Sequence, residues 1–222
     1  MLPPVAIVWP CPLSVDEYAA AGRALVVPRP QCPRCAGATV WWSGYRRFVR
    51  VAGVCRAIFV PRVRCRGCAQ TDAVLPAFVL VGRLDAVESI GEVAARVAAG
   101  PGGVRPAAAA ADVPHTTARG WVRRLAGGAG RWSVAFAALV VELGGDVVSG
   151  LGDTVGAVLA AMAAAFAVAS SLAGWGALGW WRFVSAVSGG RLLATNTNSP
   201  YLVVGRRRFM PPVPEGGPRT EG

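Results

Sequence analysis

Four of the six cysteines fall as two C-x2-C pairs, Cys32-Pro33-Arg34-Cys35 and Cys65-Arg66-Gly67-Cys68, with 29 residues between them. A C-x2-C turn presents two thiolates from one tight loop. Two such loops close a tetrahedral site for zinc. The separation is longer than is usual for this pattern, and a hairpin of two long strands would absorb it. Free thiols or disulfides are the alternative. No secretory signal is expected, because Met1-Leu2-Pro3-Pro4-Val5 lacks a basic segment and prolines interrupt the run at 3, 4, 10 and 12. The expected location is therefore the cytoplasm, where paired C-x2-C motifs favour metal over disulfide. With Cys32, Cys35, Cys65 and Cys68 all bound, the site has no open position and its role is structural. Cys11 and Cys55 have no C-x2-C partner and read as incidental.

Two β-rich runs, Thr39–Val51 and Ala57–Val63, lie between the pairs and meet near Ala52-Gly53-Val54, which predicts a hairpin. Arginines crowd it: Arg34, Arg46, Arg47, Arg50, Arg56, Arg62, Arg64 and Arg66, with Trp41, Trp42, Tyr45, Phe48 and Phe59 interleaved. On a strand Arg62, Arg64 and Arg66 share one face and form a cationic stripe suited to phosphates. The alternative is a solvated outer face.

A second motif lies at 104–125. Pro106 suits a first helical turn, Ala107, Ala108 and Ala111 make a small apolar face, and Asp112–Pro114 is a short turn. Thr116 or Thr117 is expected to cap the next helix. In that helix Ala118, Trp121, Val122 and Leu125 form the buried stripe. His115, Thr116, Thr117, Arg119, Gly120, Arg123 and Arg124 are left as the exposed, DNA-facing set, with Arg119 and Arg123 as the leading contacts. A supporting helix at about 85–99 turns Val87, Ile90, Val93, Ala94 and Val97 inward. An ordinary helical bundle would explain the same segment without DNA.

Residues 32–125 resemble bacterial zinc-ribbon plus helix-turn-helix proteins associated with insertion sequences and transposases. The resemblance is carried by the two cysteine pairs, Arg62-Val63-Arg64, Val74-Leu75-Pro76-Ala77-Phe78 and Thr116–Arg124. It implies that the four cysteines carry the metal and that the helix from Thr116 carries the DNA contacts. The chain departs from such repeats in having Asp112 where glycine usually sits and Ala118 where a larger aliphatic does.

The expected fold is α+β and mostly α: a small zinc-ribbon hairpin, a tri-helical helix-turn-helix unit and a helical C-terminal region. The expected divisions are a lead-in at 1–31 with a helix at Ser14–Ala24 capped by Ser14, the ribbon and a connector at 32–83, the DNA-binding unit at 84–126, helices within 131–190, and a basic, Pro/Gly-rich tail at 191–222 with a short apolar run at Tyr201–Val204. The helices of the back half are placed at about Arg131–Leu143, Asp153–Ala173 and Trp175–Val187.

Charge supports a polyanionic partner. All 23 basic residues are arginine, and residues 1–131 hold 17 of them against 7 acids. Double-stranded DNA is the expected partner, with a second copy or a transposase as a further one, and Arg206–Arg208 as a phosphate arm or a solvated tail. No enzyme is expected: the single histidine is His115, lysine is absent, and Glu142, Asp146 and Asp153 sit at helix edges beside glycines. The 28-residue charge-free run Thr154–Trp181 is long enough to span a bilayer, but half of it is Ala or Gly. Val155, Leu159, Met162, Phe166 and Ala173 make one stripe in it, so a core helix is favoured over a span. The functional expectation is a zinc-stabilised DNA-binding regulator or transposition accessory factor. The alternatives are a membrane-tethered DNA binder, an adaptor that docks a transposase or polymerase, and a transposase fragment.

Overall fold

A computed structural model describes residues 6–100, 102–172 and 175–194, and the fold is α+β, mostly helical. The Arg206–Arg208 arm, the apolar run at Tyr201–Val204 and Ala173 lie outside the described residues. The front of the chain supplies β1 (Ile7–Trp9), α1 (Val15–Ala21), β2 (Thr39–Val51), β3 (Val54–Cys65) and β4 (Thr71–Pro76). Seven helices lie among the described residues. The others are α2 (Val87–Ala99), α3 (Val104–Ala110), α4 (His115–Gly127), α5 (Ala129–Glu142), α6 (Val155–Ser170) and α7 (Trp180–Val187).

The sheet order is β1-β4-β3-β2. β2 and β3 form the long antiparallel hairpin, closed by a turn in which Ala52 and Gly53 both take positive φ (43° and 74°). Two positive φ values in a two-residue turn match the twist of the flanking strands. β4 is a correction to the connector expected at the end of the 32–83 division. It pairs with β3 over Thr71–Ala73 and, in parallel, with β1 over Val74–Pro76. The lead-in likewise carries β1. A three-residue strand and a short apolar run next to prolines have too little periodicity to read alone. Both strands become legible only through their partners.

α1 has the expected cap. The Ser14 hydroxyl accepts from the Glu17 amide, and the Glu17 carboxylate accepts from the Ser14 amide, a reciprocal capping box. The helix lays Val15 and Tyr18 into a core shared with Val49, Ile58, Val60 and Phe78. Tyr18 also donates its hydroxyl to the Phe59 carbonyl at 3.1 Å, tying α1 to β3.

The helices share a second core. Val87, Ile90, Val93 and Ala94 of α2 are buried, with Val97 partly so. α6 buries Val158, Leu159, Ala161, Met162, Ala165 and Ala169, and Val155 and Phe166 pack at its margin. Its apolar surface is spread around the helix because alanine lets α5, α2 and α7 approach closely. The charge-free run is not one helix. α6 ends at Ser170, a 3-10 turn occupies Gly176–Leu178, and α7 begins at Trp180 rather than at Trp175. No helix among the described residues is long and apolar enough to cross a membrane. The gap between the expected units at 84–126 and 131–190 is nearly closed, since only Gly128 separates α4 from α5. The start of the expected tail is buried: Arg191, Leu192 and Leu193 sit in the core, and Arg83 donates to the Leu193 carbonyl at 2.7 Å.

The hairpin tip is joined to the helices. Arg50 Nε meets the buried Asp85 carboxylate at 2.7 Å, the Arg50 amide donates to the Leu84 carbonyl, and the Ala86 amide donates to the Arg50 carbonyl. Arg47 donates to the carbonyls of Leu80 and Arg83. A side chain at Gly53 would collide with the Asp112 carboxylate, which places the turn of the hairpin against the loop between α3 and α4. Arg50→Ala leaves Asp85 as an uncompensated buried charge. It is expected to lower unfolding free energy by about 3–5 kcal/mol, read as a shift of the urea midpoint at unchanged slope. An unchanged midpoint would show that the tip is not fastened by this pair.

Candidate metal centre and nucleic-acid interface

The two C-x2-C loops lie at the base of the hairpin and are built alike. The Cys32 amide donates to the Gly37 carbonyl at 3.0 Å, and the Cys65 amide to the Gln70 carbonyl at 2.9 Å. The residue after each second cysteine, Ala36 and Ala69, takes φ of 56°. This is left-handed backbone that alanine adopts only when the surrounding bonds hold it. The Arg66 amide donates to the Ala38 carbonyl at 3.0 Å and ties one loop to the other. Thr39 pairs directly with Cys65 in the β2–β3 register, so the hairpin brings the second pair back beside the first.

The four sulfur atoms lie within 4.8 Å of one another. Cys32 Sγ is 3.6 Å from Cys68 Sγ, and Cys35 Sγ is 3.4 Å from Cys65 Sγ. Four thiolates around one zinc ion at ~2.3 Å sit roughly 3.8 Å apart, so the donors fit a single tetrahedral cation. Cys32 and Cys65 are buried, whereas Cys35 is exposed. Gly37 packs at the centre: a Cβ there would come within 3.3 Å of Cys35 Sγ. The amide of Cys68 donates to Cys65 Sγ at 3.4 Å. This bond is the main reason the Cys65 thiol is pulled down to about 6, toward the thiolate a cation needs. Burial pushes the Cys32 thiol up. At Cys35 the Gly37 amide favours the thiolate, but hydrogen bonding with Cys65 and Cys32 outweighs it and the thiol is raised. Cys11 is buried and Cys55 exposed, and neither joins the cluster. Among the described residues no carboxylates gather with other ligands into a second such group, and Glu142, Asp146 and Asp153 stand exposed.

Along β3 the residues flanking the buried Val63 and Cys65 are Arg62, Arg64 and Arg66. Two of them have partners within the fold. Arg62 donates to Thr71 Oγ1 at 2.9 Å, and the Arg64 guanidinium lies 4.8 Å from the Trp42 ring centroid. Arg66 is exposed. Arg34 faces the buried Asp72 at 3.8 Å.

Compared with models of protein families, with curated proteins and with solved structures, the chain matches none.

The second candidate surface is on α4. Ala118, Trp121 and Leu125 are buried, as their spacing predicts, and Val122 packs at the margin. Ala118 is fully covered, on a helix that packs against α3 and α2. Asp112 has φ of 50°, so the aspartate occupies the left-handed turn position that glycine usually fills. The expected threonine cap does not form. Pro114 occupies the N-cap position with no side-chain bond, and the Thr117 amide donates to the Pro114 carbonyl instead. The helix therefore starts at His115, one residue before Thr116 could cap it.

Of the expected contact residues, Thr116, Arg119 and Arg123 are exposed, and His115, Thr117, Gly120 and Arg124 are half-buried. Arg124 turns back along its helix and donates to the Gly120 carbonyl at 3.0 Å. Arg119 and Arg123 project one turn apart with no ion pair among the described residues. Asp112 is the only acid between Gly103 and Gly128. Arg105 on α3 and Arg131 in the first turn of α5 are exposed in the same way. Positive charge also collects behind α4. Burial and the nearby Arg124 both hold the Arg83 guanidinium below its usual range.

The sequence did not reveal the joint between the hairpin tip and the α3–α4 turn. Its only trace was an aspartate in a position that favours glycine. The strands are also long enough to separate the two surfaces. The 12 residues of β3 rise roughly 40 Å at ~3.3 Å each, from the tip beside Asp112 to the cysteine base.

The cysteine cluster makes a direct prediction. Protein purified with metal is expected to carry one ion per chain and to expose one fast-reacting thiol, Cys55. After chelation the cysteines of the cluster react as well and the thermal midpoint falls. Cys65→Ser is expected to lose the ion. If the four cluster thiols react as fast as Cys55 in metal-loaded protein, the cluster does not bind the ion.

Proposed function

We propose that this chain is a zinc-stabilised helix-turn-helix DNA-binding protein, acting as a transcriptional regulator or a transposition accessory factor. The observation that carries the reading is α4. Arg119 and Arg123 stand one turn apart on its exposed face, with no carboxylate partner. The opposite face of α4 is held by α2 and α3 through Ala118, Trp121 and Leu125. A rigid helix with a free cationic face is what entry into the major groove requires. Arginine's planar fork pairs with the O6 and N7 acceptors of guanine.

Zinc is favoured over other ions because all four donors are sulfur and their spacing suits a tetrahedron. Bound there, the ion supplies structural cross-linking and holds no open position for substrate. The chain's own residues do the rest. The two loops place Arg66 at the base of the hairpin, and Arg50 with Asp85 fixes its tip beside α3–α4. A contact by Arg66 on a phosphate would fall at the end of the hairpin away from the α3–α4 turn. Five of the seven acids in residues 1–131 pair with arginines (Asp16, Asp72, Asp85, Glu88 and Glu92), those of Asp16 and Glu92 at the surface. The surplus positive charge is thereby left on surface arginines.

Duplex affinity is expected to fall steeply with salt, by about 0.9 in log–log slope for each phosphate neutralised. The double variant Arg119→Ala/Arg123→Ala is expected to lose roughly ten- to hundredfold in affinity for a selected site, or one to two of those slope units if the contacts are phosphates. A flat salt dependence, or an unaffected double variant, would sink the reading.

A further inference from the structure

The hairpin carries a second surface that the duplex reading does not use. Cross-strand pairing puts Trp41, Gly44, Arg46 and Phe48 of β2 on one face with Phe59 and Pro61 of β3, the parity being restored across the irregularity between Trp41 and Ser43. The aromatic residues here are not core. Trp41 is 43% exposed and Phe48 58% exposed, on a strand at the edge of the sheet. Phe59 reaches across Gly44, where a Cβ would collide with its ring. The Arg23 guanidinium covers Phe59 at 4.8 Å from the centroid. The segment after α1 walls one side, and a groove of about 310 Å³ opens between Arg23, Leu25, Val26, Trp41, Phe59 and Pro61.

Charge decides what such a groove would take. From Tyr18 to Thr71 the sequence has ten arginines and no acid. Arg46, directly opposite Phe59, and Arg29, two residues past Val27, are exposed with no ion pair among the described residues. A second copy docked on this face would set these arginines against their own kind. An apolar peptide would leave them unanswered. A polyanion with flat apolar groups satisfies both features, because bases stack on aromatic rings while phosphates meet guanidinium groups.

We propose that this face binds single-stranded DNA: an unpaired base enters the groove between Trp41 and the Arg23 guanidinium that covers Phe59, the next stacks on Phe48, and Arg46 holds the phosphate between them. The surface is separate from α4, so the proposal does not rest on the duplex reading. Together they would make a protein that holds a duplex at one place and an opened strand at another.

The test uses the full metal-loaded chain and fluorescence anisotropy with a labelled 20-nucleotide single strand and the matching duplex, each at several salt concentrations. Trp41→Ala and Phe48→Ala alter exposed side chains, so the fold is retained, which circular dichroism and metal content verify. Each is expected to weaken single-strand binding about tenfold, with duplex affinity unchanged. Arg23→Gln/Arg46→Gln is expected to lower the salt slope for the single strand. Arg119→Ala/Arg123→Ala is expected to weaken duplex binding alone, so failure of either reading is visible without the other. The proposal is overturned if Trp41→Ala and Phe48→Ala leave single-strand affinity intact, which would mean attraction by charge only. It is equally overturned if the chain ignores the single strand and binds vesicles of anionic phospholipid in a Trp41- and Phe48-dependent manner.

Discussion

Everything in the front half depends on holding a long hairpin at both ends. Two strands of 13 and 12 residues, with β2 at the sheet edge, have too little covered surface to be stable as an isolated ribbon. At the base, the sulfurs of Cys32, Cys35, Cys65 and Cys68 converge, and their like charges as thiolates are tolerable only around a cation. At the tip, Arg50 meets the buried Asp85, and its backbone exchanges hydrogen bonds with Leu84 and Ala86. Between the two, α1 and the parallel pair β1–β4 cover one face with Tyr18, Val49, Ile58 and Val60.

That arrangement explains how the arginines divide. Those that build the fold sit against carboxylates, carbonyls or rings: Arg47 on two carbonyls, Arg50 on Asp85, Arg64 on Trp42, and Arg182 on Glu88 and the carbonyls of Cys11, Pro12 and Leu13. Guanidinium suits these tasks because it is weakly hydrated, planar and rich in donors. Others among the described residues, including Arg46, Arg66, Arg119 and Arg123, face solvent. Composition alone counts both kinds as one charge. The number that matters for a polyanion is the second, and among the described residues it includes arginines on the hairpin, α3, α4 and α5.

Local pattern made much of the architecture legible. The β2 span, the turn at Ala52-Gly53, the Ser14 cap and the buried stripe of α4 each follow from short-range rules of alternation, turn chemistry and helical period. The failures have separate causes. β1 and β4 are short runs whose identity is set by long-range pairing, and the Thr116 or Thr117 cap lost to Pro114 because the backbone entering α4 is already extended there. α6 showed its length poorly, since a run of alanines carries little signal about where a helix stops.

The sequence by itself determined the ligand set of the candidate metal centre. C-x2-C is a local constraint, and a tight loop with two thiols works the same way wherever it is placed. It also determined which face of α4 turns inward, because the 3.6-residue period does not depend on the neighbours. Only the tertiary structure decided that the hairpin tip lies against the α3–α4 turn, that Asp112 fills a position glycine would favour, and that Phe59 lies over Gly44 beneath Arg23. These depend on residues tens of positions apart meeting with a particular register and twist. No periodicity in a chain records that, so the division of its arginines into fold and surface is a property of the packed molecule.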